Sequence, residues 1–210
     1  MRIASVGPLR HIPSNSRLGD SASRRAAVFL DRDGVLIEDV HYLADPKFLR
    51  LMPDTAQAIR LLQEKYLVIV ATNQSAIARG LLDEPGLLTV HQHLANQLTA
   101  QGAVIDAFYF CPHLPNAPVD AYNQLCVCRK PAPGMILQAA EDWSIGLSES
   151  YMVGDSQRDI QAGRTAGVRT IMVGKGTAEG SHPEWLADDL VGAAGVILAN
   201  SIRGRPVTSE

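Results

Sequence analysis

Two aspartates stand close together at the end of a short apolar run. Residues 26–30 are followed by Asp31, Arg32, Asp33 and Gly34, so the two carboxylates can converge if the chain turns at the glycine. One carboxylate can attack a phosphorus centre while the other transfers a proton. Carboxylates this close repel each other unless a cation lies between them, and Mg²⁺ prefers oxygen ligands. The pair indicates metal-assisted phosphoryl transfer, and an ordinary Asp-Gly surface turn is the alternative.

Further polar residues end two other apolar runs and precede a predicted helix. Thr72 and Asn73 end a second run, Asp155 ends another, and Lys130 comes just before a helix. A hydroxyl, an ammonium group and a third carboxylate complete the set that phosphoryl transfer needs. Taken singly, Thr72, Asn73 and Asp155 are also consistent with helix caps, and Lys130 with a solvated charge. A parallel sheet would bring all of them to one edge, which favours the chemical interpretation.

The three cysteines of the chain fall in one segment together with a histidine. Twelve residues separate Cys111 and His113 from Cys126 and Cys128. Three thiolates and one imidazole form a typical tetrahedral ligand set for structural Zn²⁺. Three buried free cysteines are the alternative, because cysteine often behaves as a small apolar side chain. Since every cysteine is used and a closed four-ligand set results, we predict a zinc-binding loop over 111–128.

Alternating strands and helices are expected to position these groups. Continuous apolar runs predict buried parallel strands, and apolar residues at helical spacing predict the helices between them. The predicted strands span 26–30, 67–71, 104–110, 150–153 and 168–173; the predicted helices begin at Pro53 and span 84–101, 132–143 and 156–166, with a last strand and helix over 190–198. This order indicates an α/β fold, a doubly wound (Rossmann-like) parallel sheet with helices on both faces. His91 and His93 are predicted to lie on the surface of a helix.

Composition limits the chain to a few classes of protein. With 210 residues, 46% of them apolar, and a formal net charge of −3, it has the size and composition of one globular domain. This charge gives no reason to expect nucleic-acid binding, and no apolar run approaches a membrane-spanning length, so we expect neither partner. The odd number of clustered cysteines favours a reducing compartment, and we expect a cytoplasmic protein.

The ends of the chain differ in composition from the middle. The first 25 residues carry five arginines against one acid, without the apolar core of a secretory signal. We predict a flexible basic leader over 1–25, with an organelle transit peptide as the alternative, one domain over 26–200 and a flexible tail over 201–210. The sequence does not set the oligomeric state, and we expect a monomer.

The ordered motifs resemble those of the haloacid dehalogenase (HAD) superfamily, in the branch that contains histidinol phosphatases and heptose-bisphosphate phosphatases. The similarity covers about residues 26–176, most of the chain. Its most specific phrases are Ala-Thr-Asn-Gln-Ser-Ala-Ile-Ala-Arg-Gly over 71–80 and Cys-Arg-Lys-Pro over 128–131. Many members of this branch carry a zinc loop, so the resemblance agrees with the cysteine spacing.

The resemblance implies a role for each motif residue. Asp31 would be the nucleophile that forms an aspartyl-phosphate, and Asp33 would protonate the leaving oxygen and then activate water. Thr72 and Lys130 would orient the phosphoryl group and neutralise its charge. Mg²⁺ would be held by the side chains of Asp31 and Asp155 and by the backbone carbonyl of Asp33.

The resemblance also implies a small phosphorylated sugar as the substrate. The implied contacts come from the loop after the first strand, the end of the second strand and the segment after the zinc loop: Asp39, His41, Tyr42, Thr72, Asn73, Gln74, Ser75, Arg129 and Lys130. No large cap domain is expected, so the site would be open to a sugar that itself covers the reacting phosphate. The implied substrate is D-glycero-D-manno-heptose 1,7-bisphosphate, cleaved at C7, with Mg²⁺ and Zn²⁺ as cofactors.

Two alternatives remain open from the sequence. Histidinol phosphate is the second candidate substrate, because the enzymes that hydrolyse it share the core motifs and the zinc loop. A catalytically silent protein that binds partners through its zinc loop is the alternative from another class, and the intact acids speak against it. Ser156 departs from the heptose enzymes, which have a lysine after the metal-binding aspartate, and this weakens the case for binding a second phosphate.

Overall fold

A computed structural model describes residues 7–17, 25–174, 180 and 182–203 of the chain. In this part of the chain, helices cover a seven-stranded sheet. The strands are β1 (Leu9–His11), β2 (Ala27–Leu30), β3 (Leu67–Asn73), β4 (Ala107–Cys111), β5 (Tyr151–Gly154), β6 (Arg169–Val173) and β7 (Trp185–Ala187). The helices are α1 (Thr55–Leu62), α2 (Glu84–Thr99), α3 (Gly134–Asp142), α4 (Gln157–Ala166) and α5 (Leu190–Arg203).

The strand order β1-β4-β3-β2-β5-β6-β7 places the strand before the aspartate pair at the centre of the sheet. From β2 the chain builds β3 and β4 on one side, and then returns to build β5, β6 and β7 on the other. Open α/β sheets bind ligands where the chain changes direction in this way, which here is the crevice between β2 and β5. Leu30 pairs with Val153 in register, so Asp31 and Asp155 lie on either side of that crevice.

Helices cover both faces of the sheet because the central strands are apolar on both sides. On one face α1, α2 and α5 pack against alternate strand residues such as Val28 and Val70. On the other face α3 and α4 pack against the residues between them, such as Phe29 and Ile69. The predicted doubly wound sheet with helices on both faces is confirmed. It differs from the prediction in one respect, since β1 runs antiparallel to β4 and makes the sheet mixed.

Residues 7–17, which we call the N-terminal strap, correct the prediction of a flexible leader. Leu9–His11 pairs with β4, and Arg17 forms an ion pair with the fully buried carboxylate of Asp106. The arginine-rich composition predicts a solvated segment, but backbone pairing and this buried charge pair hold the strap against the core. Residues 1–6 and 18–24 of the predicted leader lie outside the described residues, as does 204–210 of the predicted tail.

The last predicted strand is also corrected. Residues 190–203 are helical throughout, and the edge strand β7 comes before them. A short apolar run does not distinguish a buried strand from a buried helix, and Ala193, Ala194 and Ile197 are buried on α5. The other predicted elements are confirmed with ends that differ by about three residues or fewer, the usual uncertainty of element boundaries.

The connections at the carboxyl edge of the sheet shape the access to it. The connection between β2 and α1 spans residues 31–54, and the connection between β4 and α3 spans residues 112–133. Neither contains more than a short 3₁₀ helix and bridging pairs, so the described chain places no separate domain over this edge. None of its helices combines the length and the apolarity needed to cross a membrane.

Candidate active site

A polar cavity of about 320 Å³ opens at the carboxyl edge of the sheet, beside the ends of β2, β3 and β5. Its wall is formed by acidic, basic and hydroxyl side chains: Asp31, Asp33, Asp39, His41, Tyr42, Thr72, Asn73, Ser75, Arg129, Lys130, Asp155, Ser156, Arg158 and Asp159. All the predicted catalytic and substrate-binding residues except Gln74 lie in this wall. The fold therefore brings together groups that are far apart in the sequence.

Asp31 and Lys130 form the centre of the cavity floor. The Lys130 ammonium group is buried, with Nζ 2.9 Å from Oδ1 of Asp31 and 2.6 Å from Oδ1 of Asp159. The same group donates a hydrogen bond of 2.7 Å to the carbonyl of Ala71. The backbone N–H of Arg32 also donates to Oδ1 of Asp31, at 2.7 Å. These contacts fix both a positive charge and the orientation of the carboxylate beside it.

Burial and neighbouring charges shift the pKa values of this group. Burial raises the pKa of the Asp31 carboxyl to about 7, although Lys130 opposes the shift. Burial, followed by the charge of Asp159, raises the pKa of Asp155. Burial lowers the pKa of Lys130, but the carboxylates of Asp159 and Asp31 outweigh it and hold the pKa above its ordinary value. Acids crowded in this way favour a bound cation, which would relieve their mutual repulsion.

Three carboxylates are arranged so that they could hold a metal ion. Side-chain oxygens of Asp31, Asp155 and Asp159 lie within 4.8 Å of one another. Asp159 is already engaged, since Oδ1 faces Lys130 and Oδ2 accepts hydrogen bonds from the backbone and hydroxyl of Ser156. Asp31 and Asp155 are therefore the better candidates for direct ligands, with Asp159 in support. An oxygen-only donor set fits a hard cation such as Mg²⁺.

Two glycines allow these carboxylates to approach the backbone. Gly34 has a φ of +77°, and a Cβ at this position would lie 2.1 Å from a carboxylate oxygen of Asp155. At Gly154, a Cβ would lie 2.2 Å from the Cβ of Asp159. A larger residue at either position would displace a member of the carboxylate group. The glycines of the two motifs therefore serve the packing of the site, and Gly34 also serves the turn.

A buried hydrogen-bonded ring holds Asp33 from behind. Nη2 of Arg32 lies 3.0 Å from each carboxylate oxygen of Asp33 and donates to the amide oxygen of Gln74 at 3.1 Å. The Gln74 amide donates in turn to Asp33 at 3.1 Å and to the hydroxyl of Thr72 at 2.8 Å. We call Arg32 and Gln74 the carboxylate clamp. Gln74, predicted from the resemblance as a substrate contact, lies behind the cavity wall, where its amide takes part in this ring.

Arg32 is the residue that sequence reasoning missed at this point. It lies between the two motif aspartates, and the residue is only 1% exposed. A charged residue between two motif aspartates, at the end of a fully buried strand, is the signal that could have identified it. His91 is a related correction, since it is fully buried against Arg32 rather than on the surface. His93 is half-buried.

The remaining predicted substrate contacts line the mouth of the cavity. Asp39, His41 and Tyr42 are exposed in the loop after β2, where the backbone N–H of His41 donates to Asp39 at 2.8 Å. Ser75 also lines the mouth. Arg158, in the first turn of α4, adds a guanidinium group that no motif of the sequence predicts.

Asn73 has a second task besides lining the cavity. As the last residue of β3, it exchanges two hydrogen bonds of 3.0 Å with the backbone N–H and carbonyl of Lys130. These two hydrogen bonds join β3 to the segment that carries Lys130. Asn73 therefore positions Lys130 directly.

The cysteines and histidine of the loop after β4 come together in a compact cluster. Sγ of Cys126 lies 3.5 Å from Sγ of Cys111 and 3.4 Å from Sγ of Cys128. Nδ1 of His113 lies 3.3 Å from Cys128 and 3.6 Å from Cys111. Tetrahedral Zn²⁺ with ordinary bond lengths would separate its ligand atoms by roughly 3.5–3.8 Å. The cluster therefore has the donor set and approximate dimensions of a tetrahedral metal site.

The cluster is connected directly to the cavity. Cys111 ends β4 and pairs in register with Asn73 of β3. The backbone N–H of Arg129 donates to Sγ of Cys126 at 3.4 Å, and its guanidinium donates to the carbonyl of His113 at 3.3 Å. Whatever orders this loop therefore also positions Arg129.

A family model and proteins of similar sequence both indicate one family of hydrolases. A family model described as HAD-hydrolase-like matches residues 127–194, the span that contains Lys130 and Asp155. A D-glycero-beta-D-manno-heptose-1,7-bisphosphate 7-phosphatase from Rhodopseudomonas palustris is 44% identical over 149 residues, covering 70% of this chain and 83% of the relative.

Two solved structures are similar to this fold. The D,D-heptose 1,7-bisphosphate phosphatase from B. bronchiseptica, crystallised with magnesium and phosphate, has a TM-score of 0.74 at 36% identity, covering 83% of this chain and 99% of that chain. A structure described as a HAD-like phosphatase from Mesorhizobium loti has a TM-score of 0.80 at 28% identity and covers 98% of both chains. An alignment of that extent includes most of the N-terminal strap.

Proposed function

The chain belongs to the heptose-bisphosphate phosphatase branch of the HAD-like hydrolases, and we propose that it removes the C7 phosphate of D-glycero-D-manno-heptose 1,7-bisphosphate. It is a phosphoric monoester hydrolase, like the relatives that establish its family. The observation that carries the proposal is the cavity at the end of β2, where Asp31, Lys130 and Asp155 meet. This geometry offers a nucleophile, a fixed positive charge and a metal-binding acid at one point.

Asp31 is the proposed nucleophile. One of its carboxylate oxygens attacks phosphorus, the bond between phosphorus and the C7 oxygen breaks, and an aspartyl-phosphate forms. The Lys130 ammonium group, 2.9 Å from this carboxylate, neutralises charge on the transferring phosphoryl oxygens. The hydroxyl of Thr72 in the cavity wall orients the same group.

Asp33 is the proposed general acid and base. It protonates the C7 oxygen as the bond to phosphorus breaks, so the sugar leaves as an alcohol. The resulting carboxylate then takes a proton from water, which attacks the phosphorus of the aspartyl-phosphate. This second step releases inorganic phosphate and restores Asp31. The position of Asp33 in the cavity wall, two residues from the nucleophile, supports this role.

Mg²⁺ is the proposed cofactor, held by the side chains of Asp31 and Asp155 and by the backbone carbonyl of Asp33. The oxygen-only donor set and the crowding of three carboxylates support this choice of ion. When bound, Mg²⁺ would neutralise charge on the phosphoryl group. Asp159 would hold Lys130 and the start of α4 rather than the ion.

Zn²⁺ is the proposed occupant of the cluster formed by Cys111, His113, Cys126 and Cys128. The four ligands supply a closed site with no position left for substrate, which is typical of structural zinc. Its role would be to fix the loop over 111–128 and, through it, Arg129. The contacts of Arg129 with this cluster support the assignment.

The sugar and its second phosphate would be recognised at the mouth of the cavity. Asp39, His41 and Tyr42 present hydrogen-bonding groups to the hydroxyls of an open-sided substrate. Arg129 is the proposed contact for the C1 phosphate, because a guanidinium group can hold phosphate through two parallel hydrogen bonds. Arg158 adds positive charge close to Ser156 in the cavity wall.

The cellular compartment is inferred from the cysteines. We place the protein in the cytoplasm, because a cluster of three thiols is maintained in a reducing compartment. The monomeric state and the lack of a nucleic-acid partner remain predictions from the sequence.

The position of cleavage tests the proposed function. With Mg²⁺, ³¹P NMR should show inorganic phosphate and heptose 1-phosphate as the products, and chelation of the metal should stop turnover. Release of the C1 phosphate, or no turnover with Mg²⁺ present, would contradict the proposal. Arg129→Ala should raise KM for the bisphosphate by about tenfold or more while changing KM for heptose 7-phosphate little, because only the bisphosphate carries the second anion.

A further inference from the structure

We propose that His91 is a positioning residue for catalysis: it holds the buried guanidinium of Arg32 against Asp33, beneath a cover that His11 of the N-terminal strap provides. The inference rests on the proposed proton-transfer role of Asp33. It extends that role to residues that do not touch the substrate.

The geometry around Arg32 fixes what His91 must do. One end of the guanidinium binds Asp33, with Nη2 3.0 Å from both oxygens and Nε 3.3 Å from Oδ1. At the other end, Nη1 lies 3.4 Å from Nε2 of His91. A guanidinium group only donates hydrogen bonds, so Nε2 must accept. His91 is therefore neutral, with its proton on Nδ1.

The burial of His91 beside Arg32 is energetically unfavourable, which indicates a functional role. His91 is fully buried, and its Nδ1 has no hydrogen-bond partner among the described residues. Burial, followed by the charge of Arg32, lowers the pKa of His91 well below its ordinary value, which agrees with a neutral ring. Burying a guanidinium group and an unsatisfied imidazole nitrogen is unfavourable, and an apolar residue would avoid the second cost. Polar groups that break the rules of core packing are expected at functional sites.

The N-terminal strap completes the enclosure. The His91 ring lies 4.3 Å from the ring of Phe108 in a stacked arrangement. The pairing of β1 with β4 sets His11 opposite Phe108, and the His11 ring stacks 6.1 Å from that of His91. A continuous chain of contacts therefore leads from the strap through His11, His91 and Arg32 to Asp33. The N-terminal strap is thus linked through these contacts to Asp33 in the catalytic centre.

Two substitutions at His91 separate positioning from packing. His91→Leu fills the space without an acceptor and should lower kcat by about 10- to 100-fold, with KM within about twofold, because proton transfer depends on the placement of Asp33. In His91→Gln, the amide oxygen can take the place of Nε2 and should restore kcat to within about threefold of wild type. Equal kcat values for the two variants would show a packing role only and would overturn the proposal.

Substitutions at His11 test the cover. His11→Phe keeps a stacked ring and should retain kcat, while His11→Ala opens the strap side of His91 and should lower kcat by about three- to tenfold. Unchanged kcat in His11→Ala would remove the strap from the proposal.

The choice of substrate and a spectroscopic measurement keep this test separate from that of the proposed function. All variants are assayed on heptose 1,7-bisphosphate and on glycerol 3-phosphate, whose alkoxide also needs a proton to leave, so a failure of the proposed sugar substrate leaves the comparison at His91 intact. ¹⁵N NMR of histidine-labelled protein tests the geometry without turnover. The expected spectrum at neutral pH shows His91 as the neutral tautomer with its proton on Nδ1. An imidazolium signal, or a proton on Nε2, would overturn the proposal regardless of activity.

Discussion

At the residue scale, Lys130 offsets part of the negative charge of the carboxylates in the site. Lys130 contacts both Asp31 and Asp159, while Arg32 contacts Asp33. If all the carboxylates are ionised, the group of Asp31, Asp155, Asp159 and Lys130 carries two net negative charges. A divalent cation would balance these charges, and the phosphoryl group would then meet the cation and Lys130 rather than bare carboxylates. The charges of the site therefore favour the same reaction class as its geometry.

The substitution Asp31→Asn tests the nucleophile. The amide oxygen can still accept from Lys130 and from the backbone of Arg32, and Asp159 still balances the lysine, so the fold should remain intact. Turnover should fall by at least about a thousandfold, because an amide cannot form the aspartyl-phosphate. Phosphate release and circular dichroism measure the two effects.

Asp45→Asn is the matched control for this experiment. Asp45 is an exposed carboxylate paired with Lys47 outside the cavity wall, and its loss should leave kcat unchanged. Substantial activity in Asp31→Asn would mean that another group attacks phosphorus.

At the scale of elements, two segments connect the sheet to the site, and only one of them was recognisable in the sequence. The zinc loop was predicted because cysteine and histidine spacing carries direct chemical information. The N-terminal strap was not, because its arginines look solvated until their partners are known. Arg17 meets Asp106 across 89 residues of sequence, and His91 meets Arg32 across 59. Such burial depends on tertiary contacts that local patterns do not contain.

The same reasoning explains which parts of the fold and cavity were predictable. Apolar runs identified β2, β3 and β5, and the polar residues that end them identified Asp31, Thr72 and Asp155 as site residues. The run over 190–198 gave the wrong strand because its pattern fits a buried helix equally well. The position of Gln74 behind the wall was not predictable, because a motif gives the residue type but not the direction in which the side chain points.

The substitution Cys126→Ser tests the zinc loop. The sulfur of Cys126 contacts both other cysteines, and a serine oxygen is a poor replacement for a thiolate ligand. Zinc content should fall well below one equivalent, and the loss of at least about 3 kcal/mol of metal-linked folding free energy should lower Tm by about 6–12 °C. Metal analysis and calorimetry provide the readouts.

Leu125→Ser is the control within the same loop, since Leu125 is 58% exposed and should leave zinc binding intact. One zinc equivalent still bound by Cys126→Ser, with an unchanged Tm, would refute the four-ligand site.

The substitution Arg17→Ala tests the attachment of the strap. Asp106 is fully buried and accepts hydrogen bonds from the Arg17 guanidinium and from the backbone of Val68. Removing the arginine leaves this carboxylate without its charged partner, which should lower the free energy of unfolding by about 2–4 kcal/mol. Urea denaturation measures the change.

The same strap offers the control Arg10→Ala. Arg10 is half exposed in its pair with Asp142, so its loss should cost less than about 1 kcal/mol. Equal losses for the two variants would show that Arg17 has no special part in holding the strap.

At the scale of the whole molecule, the sheet acts as the frame between two clusters. The cysteine cluster forms at the end of β4, and the carboxylate group forms at the carboxyl ends of the neighbouring strands β2 and β5. Arg129 and Lys130 lie between the two clusters. The strap lies on the same flank of the sheet as the cysteine cluster, because β1 pairs along the outer edge of β4. Asp31 and Asp155 directly follow β2 and β5, Thr72 lies near the end of β3, and Asn73 ties Lys130 to β3, so the sheet places these side chains rigidly.

The central claim is that this frame serves a heptose-bisphosphate phosphatase. The most direct measurement is phosphate release with Mg²⁺, comparing heptose 1,7-bisphosphate with histidinol phosphate at equal concentrations. We expect kcat/KM to favour the heptose bisphosphate by about a hundredfold or more, equivalent to roughly 3 kcal/mol of differential transition-state binding. Comparable values for the two substrates, or a preference for histidinol phosphate, would contradict the proposed substrate.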